Sequence, residues 1–196
     1  MDAELVINST SAGVDIALLE DGQLVELHRD RGDVQYAVGD IYVGRVRKVM
    51  PSLNAGFVDV GHGKDAFLHH SDLGPQFKTQ QIWVKRVMSG KQPTSEISQF
   101  KREEDIDRKG KMKDYVSASQ LVMVQVAKEP ISTKGPRLTA EVSLPGRYIV
   151  LVPFSDKVSL SSRIKGEKER TRLKRLMQSI QPPGFGIIVR TVAENK

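Results

Sequence analysis

In PSLNAGFVDVGHGKDAFLH, residues 51–69, apolar and polar side chains alternate as a β-hairpin requires. Val58 and Val60 take one face of the first arm, and Phe57 and Asp59 take the other. After the turn at Gly61, His62 and Gly63, Ala66 and Leu68 share a face, while Asp65, Phe67 and His69 share the opposite one. Successive strand side chains point to opposite faces. Both phenylalanines therefore fall with the polar residues, on the wet side. The hairpin constrains the fold and poses a question about what its rings meet.

The period of two continues on both sides. Segments 5–8, 14–19 and 24–28 read as three short strands, with Asp21-Gly22 as a turn signal. Residues 30–40 form a polar connector, and β segments punctuated by Gly44, Pro51 and Gly61 follow from residue 41. Between 74 and 119 the alternation fails. That stretch is rich in Lys, Ser, Gln and Glu, with one apolar knot at 82–88. It reads as a long insertion, partly mobile, with room for short helices; such insertions tend to be functional or disordered.

Strand patterns return at 121–129, 137–144, 147–153 and 186–192. Arg137, Thr139 and Glu141 alternate with Leu138, Ala140 and Val142, which gives that strand one wet face. The one convincing helix runs over about 166–181, where Leu173, Leu176, Met177 and Ile180 form an apolar stripe. Pro182-Pro183-Gly184 stops it, because proline cannot continue the backbone ladder. No internal repeat is present. The opening three strands are too few for a stable domain alone, and little sequence follows the last strand. The chain reads as the front part of a longer protein.

With 30 Lys and Arg against 24 Asp and Glu, the net charge is +6 over 196 residues. That moderate excess suits an anionic partner such as nucleic acid. The absence of cysteine excludes disulfides and cysteine-based zinc sites within the chain and fits a reducing compartment. No apolar run approaches the roughly 20 residues that span a membrane. Nor does MDAELVINST have a signal-peptide layout. Cytoplasmic localisation is the default expectation.

The segment from about 39 to 135 has the pattern of a small five-stranded barrel of the OB type, a class that binds single strands on one sheet face. There aromatics stack on bases and cations meet phosphates. Phe57 and Phe67 fit that need, with Arg45, Arg47, Lys48, Lys64 and His69 close in sequence. Stacking is worth roughly 1–3 kcal/mol per base, more than most exposed ion pairs supply. The plainer reading is that another domain covers the rings; two in phase beside basic residues favour stacking.

Other signals are weaker alone. Lys128 and Lys134, the latter in a TKG turn, can reach phosphate or simply solvate a loop. Arg190 offers a planar fork and Thr191 a hydroxyl. Neighbouring strand residues diverge, so both serve one phosphate only if the backbone turns. The basic side of the helix at 166–181 reads as a solvated face, and His69-His70 as a poor metal pair. Neither a catalytic triad nor a metal site can be assembled.

The segments IYVGRV, PSLNAGFVDVG, AFLH, VQVAKE, the TKG turn, LTAEVSLPGRYIVLVP, SSRI and GIIVRT occur together in this order. In this the chain resembles the bacterial ribonuclease E/G family, as a ribonuclease G-like member or another E/G homologue, over nearly its whole length outside 74–119. The resemblance implies a mixed, mainly β fold in three parts. Residues 1–38 would be the first part of a ribonuclease H-like subdomain, 39–135 an S-one (OB-type) RNA-binding barrel, and 136–196 a small α+β sensor of RNA 5′ ends.

By the same resemblance, Phe57, Phe67, Lys134 and Lys128 would contact RNA. Arg190 and Thr191 would bind a 5′-monophosphate, with Val150 lining that pocket. Two arginines often stand in the family where this chain has Ser162-Arg163. The whole protein would be a homo-oligomeric endoribonuclease of RNA processing and decay, in which magnesium-bound water attacks the phosphodiester and cysteines hold a structural zinc. Neither the catalytic aspartates nor the cysteines have a counterpart here. The expectation is a fragment without a cofactor of its own that binds single-stranded RNA, prefers a 5′-monophosphate and does not cut. The alternatives are a non-catalytic RNA-binding or ribosome-associated adaptor, or a structural β domain whose rings form an interdomain contact.

Overall fold

A computed structural model describes residues 2–10, 13–30, 36–91, 97 and 100–196. The chain divides into two units, Met1–Ala37 and Val38–Lys196. In the first, strands β1 (Ala3–Thr10), β2 (Gly13–Glu20) and β3 (Gln23–Asp30) form an antiparallel meander at the places where the alternation set them. Asp21 and Gly22 turn the second hairpin with φ of 50° and 74°, the left-handed pair that a tight hairpin needs. Arg29 and Asp15 are cross-strand partners joined at 2.6 Å, a hydrogen bond that raises the guanidinium pKa further. Residues 31–35 of the polar connector lie outside the described residues.

The second unit is built on a closed barrel. Its strands are β4 (Ile41–Met50), β5 (Ala55–Asp59), β6 (Ala66–His69), β7 (Leu121–Lys128) and β8 (Arg137–Thr139), in the order β4-β5-β6-β8-β7. All neighbours are antiparallel except β6 and β8. Alternation sends Val46, Ala55, Val58, Ala66, Leu68, Val122, Val124, Val126 and Leu138 inward, where each is fully buried. A mainly β chain with such a barrel is consistent with the expected OB type. One boundary moves: the fifth barrel strand lies beyond residue 135, and the single strand expected over 137–144 breaks after Thr139. There Ala140 donates its N–H to the Asp72 carbonyl at 2.7 Å instead of continuing the ladder.

The insertion has helix in it, as its room for short helices allowed. Its apolar knot belongs to a twelve-residue helix, α1 (Phe77–Met88), which contacts β7. Phe77, Val84, Ile106, Met112 and Val116 are buried. Asn54, left-handed at φ 48°, accepts from the Met112 N–H at 2.7 Å and donates to the Gly110 carbonyl at 3.3 Å. The Gln80 amide donates to the Ala140 carbonyl at 2.9 Å. These bonds fasten the described part of the insertion to the barrel; residues 92–96 and 98–99 lie outside it.

Beyond the barrel, β9 (Leu144–Pro145), β10 (Ile149–Pro153), β11 (Val158–Leu160) and β12 (Phe185–Val189) form a sheet in the order β11-β12-β10-β9, with β11 and β12 parallel. Helix α2 (Glu167–Ile180) covers one face and packs Leu173 and Met177 into a core with Ile164, Ile187, Val189 and Ala193. Glu167 and Glu169 occupy its first turn, where negative charge suits the helix dipole. Only half of the expected stripe is used, for Leu176 and Ile180 remain exposed. Among the described residues, no helix is long and apolar enough to cross a membrane.

Candidate nucleic-acid interface

Phe57 and Phe67 are direct Cα partners on β5 and β6, with ring centroids 5.7 Å apart and planes at 71°. Their flanking residues Val58, Ala66 and Leu68 are fully buried, so both rings stand on the outer face and are half-exposed among the described residues. The ring of His69 lies 6.4 Å from Phe67 in a stacked orientation, and the Lys48 ammonium sits 5.0 Å from the Phe57 centroid. A cation over a ring face is attracted by the ring quadrupole. His70 points the other way and is buried.

The row continues. Phe67 pairs with Arg137 on β8, and Arg137 with Lys128 on β7. Lys48, Phe57, Phe67, Arg137 and Lys128 thus form one belt of register partners over five strands. Two β-bulges make this possible. Gly44 and Val46 are buried on β4, and Val122, Val124 and Val126 on β7, so strict alternation would aim Lys48 and Lys128 into the barrel. The ladders shift between Val46 and Lys48, and between Val126 and Lys128. Each extra residue reverses the phase and turns its lysine outward.

Lys134 sits in the exposed turn closed by the Ile131–Lys134 bridge. Its position is set from behind. Pro136 accepts from the Phe67 N–H at 2.9 Å, and a Cβ on Gly135 would overlap the Asp65 and Lys64 carbonyls. The turn therefore lies along the start of β6. Two nearby cations are engaged elsewhere: Arg47 pairs with Asp59 at 2.5 Å, and Arg45 donates to the Ser119 carbonyl at 3.3 Å. The Gly61 N–H, then Arg47, hold the Asp59 carboxyl below its usual range. Among the described residues Lys128 and Lys134 make no ion pair.

Val150 lies on β10 of the second sheet, and Arg190 and Thr191 directly follow β12. Val150 pairs with Ile188, and the Arg190 N–H donates to the Tyr148 carbonyl at 2.8 Å. Val189 and Ile187 enter the core beneath α2, which leaves Val150, Ile188 and Arg190 on the other face. The Arg190 guanidinium donates to the Gly146 carbonyl at 2.6 Å. At Thr191 the chain leaves the strand for a one-turn 3-10 helix, Thr191–Ala193. Thr191 Oγ1 meets Ser161 Oγ at 3.0 Å, and Arg170 donates to the Ser161 and Ile164 carbonyls at 3.1 and 2.9 Å. Neither Ser161 nor Arg170 stood out in the sequence, since nothing local reveals a partner on another element.

A family model described as the Ribonuclease E/G family matches residues 143–196. Individual relatives align over far more of the chain. Ribonuclease G of Escherichia coli (strain K12) is 38% identical over 194 residues, which are 99% of this chain and 36% of the relative. Ribonuclease E of a Synechocystis species is 41% identical over 174 residues, 88% of this chain and 22% of the relative. The chain belongs to the ribonuclease E/G family.

Ribonuclease G of Haemophilus influenzae is likewise 38% identical, over 99% of this chain. The chain spans 36% of the length of these ribonuclease G relatives. The ribonuclease E/G match thus covers the barrel belt and the Arg190 turn together. Among the described residues no three His, Cys, Asp or Glu side chains come together, and the sequence has no cysteine.

Proposed function

We propose that this chain is the RNA-binding and 5′-monophosphate-sensing part of a single-strand-specific endoribonuclease acting in cytoplasmic RNA processing and decay. The observation that carries this reading is the opposed Phe57–Phe67 pair, flanked in register by Lys48 on one side and by Arg137 and Lys128 on the other. Rings accept bases of any sequence, and cations at strand spacing suit a phosphate chain. Lys134, on the turn beside β6, adds a further phosphate contact.

Arg190, Thr191 and Val150 form the second element of the proposal. Arg190 supplies a forked donor held by Gly146 and Thr191 a hydroxyl held by Ser161, beside the apolar wall of Val150 and Ile188. This set suits a terminal phosphate on an otherwise apolar ledge. In this reading the first unit begins a ribonuclease H-like subdomain. Cleavage, magnesium, zinc and homo-oligomer contacts belong to parts of the whole protein that this chain does not match.

The test is equilibrium binding of a labelled single-stranded RNA bearing either a 5′-monophosphate or a 5′-hydroxyl. Phe57→Ala or Phe67→Ala should weaken both RNAs by roughly 1–3 kcal/mol. Arg190→Ala should remove the preference for the monophosphate and leave the hydroxyl RNA unaffected. Wild-type affinity in both phenylalanine variants would overturn the stacking role, and a preserved preference in Arg190→Ala the sensing role.

A further inference from the structure

We infer that Arg137, clamped by Asp72, is a phosphate-binding residue of the nucleic-acid path and draws the strand from the phenylalanine pair toward Lys128. This rests on the single-stranded RNA reading above and extends it to a residue that alternation alone marks only as wet. Arg137 is the register partner of Phe67 on the parallel neighbour β8, so it stands about 4.8 Å away, one strand spacing. The next pair, Leu68 and Leu138, is fully buried, which fixes Phe67 and Arg137 together on the outer face.

The guanidinium is oriented before any ligand arrives. Its Nε and Nη2 donate to one oxygen of Asp72, at 3.1 and 2.8 Å. Asp72 is fixed in turn, because its carbonyl accepts from the Ala140 N–H at 2.7 Å and the Thr139 hydroxyl at 3.0 Å. The Arg137 side chain nonetheless remains 44% exposed, and its Nη1 has no protein partner among the described residues. An exposed ion pair contributes little to stability. Holding a planar fork in one orientation reduces what a phosphate contact must otherwise immobilise. A base stacked on Phe67 cannot also set its phosphate over that ring. The neighbouring strand is where the backbone passes, and Arg137, with Lys128 one strand further, lies along that line.

The experiment uses the 196-residue chain and a 5′-hydroxyl single-stranded RNA, so the 5′-phosphate site takes no part. Dissociation constants are measured across a salt series. Arg137→Gln should reduce the slope of log affinity against log salt by about 0.7, the value for one phosphate on a single strand. Phe57→Ala should lose affinity with the slope intact. Asp72→Asn, which keeps the backbone contacts of that residue, should weaken binding severalfold at unchanged slope. A wild-type slope in Arg137→Gln beside a weakened Phe57→Ala overturns the Arg137 role and leaves the single-strand reading standing. Wild-type affinity in both Phe57→Ala and Phe67→Ala overturns the stacking on which the single-strand reading rests. If Arg137→Gln does not fold, Asp72→Asn decides: wild-type affinity there overturns the clamped phosphate contact.

Discussion

Ser161 and Thr191 share a hydroxyl–hydroxyl hydrogen bond of 3.0 Å although thirty residues separate them in the chain. Ser161 is itself tied to β12, donating its N–H to the Val189 carbonyl at 2.9 Å. The Thr191 hydroxyl is thereby held in one orientation beside Arg190. Ser161→Ala should cost about 1 kcal/mol of stability. It should also narrow the affinity ratio between 5′-monophosphate and 5′-hydroxyl RNA without changing binding of the latter. An unaltered ratio would show that Ser161 does not set the Thr191 geometry.

Arg170, on α2, spans the turn that carries Ser161 with bonds to two carbonyls. Hydrogen bonds from a charged donor are worth about 1.5–3 kcal/mol. Arg170→Met, which keeps the stem, should therefore lower unfolding stability by about 2 kcal/mol. Lys174→Met, on the same helix with its side chain exposed, should change it by less than about 0.5 kcal/mol. Urea titrations of the two variants side by side would check this.

Glu169 accepts both Nε and Nη2 of Arg172 at 2.7 Å and the Asn195 N–H at 2.9 Å. Arg172 first, and then the Asn195 N–H, lower its pKa from 4.5 to about 2. A depressed carboxyl stabilises the fold fully above its ordinary pKa and loses that contribution as pH falls toward the folded value. Wild type should therefore be more stable than Glu169→Gln above pH 4.5, and the gap should close toward pH 2. Melting temperatures of the two proteins over that range give the measurement.

Gly135 lies against the Lys64 and Asp65 carbonyls, where a methyl group has no room. Gly135→Ala should destabilise the barrel by about 1–3 kcal/mol, as overpacking does, and should push the Lys134 turn off the start of β6. The paired readout is thermal stability and RNA affinity. A neutral substitution would mean that the turn accommodates the methyl without strain.

Much of the fold was legible because burial on one face writes a period into the chain. The hairpin of Phe57 and Phe67, the three opening strands and α2 all followed from it. What stayed hidden depended on a break in the period or on a distant partner. The bounds of α1 could not be read because its buried side includes Thr79, Gln80 and Gln81, whose polar groups interrupt any apolar stripe. Two of these each make one bond to a distant residue, the Gln80 amide donating to the Ala140 carbonyl and Gln81 Oε1 accepting from Gln120 at 3.0 Å. The outward turn of Lys48 and Lys128 escaped because a single bulge residue inverts every later inference from alternation. The place of Arg137 beside Phe67 is a matter of strand order, and the parallel pairing of β6 with β8 leaves no mark in either segment.

The belt of Lys48, Phe57, Phe67, Arg137 and Lys128 runs across the strands rather than along any one of them. Each strand supplies a single rung, so the surface exists only when four separate ladders are all in register. A one-residue slip in any of them would replace an outward ring or cation by an inward-facing apolar neighbour. Ligand affinity in this protein is therefore also a census of correctly threaded molecules: a chain that closes its barrel one step out of phase could keep its secondary structure and still be invisible to RNA.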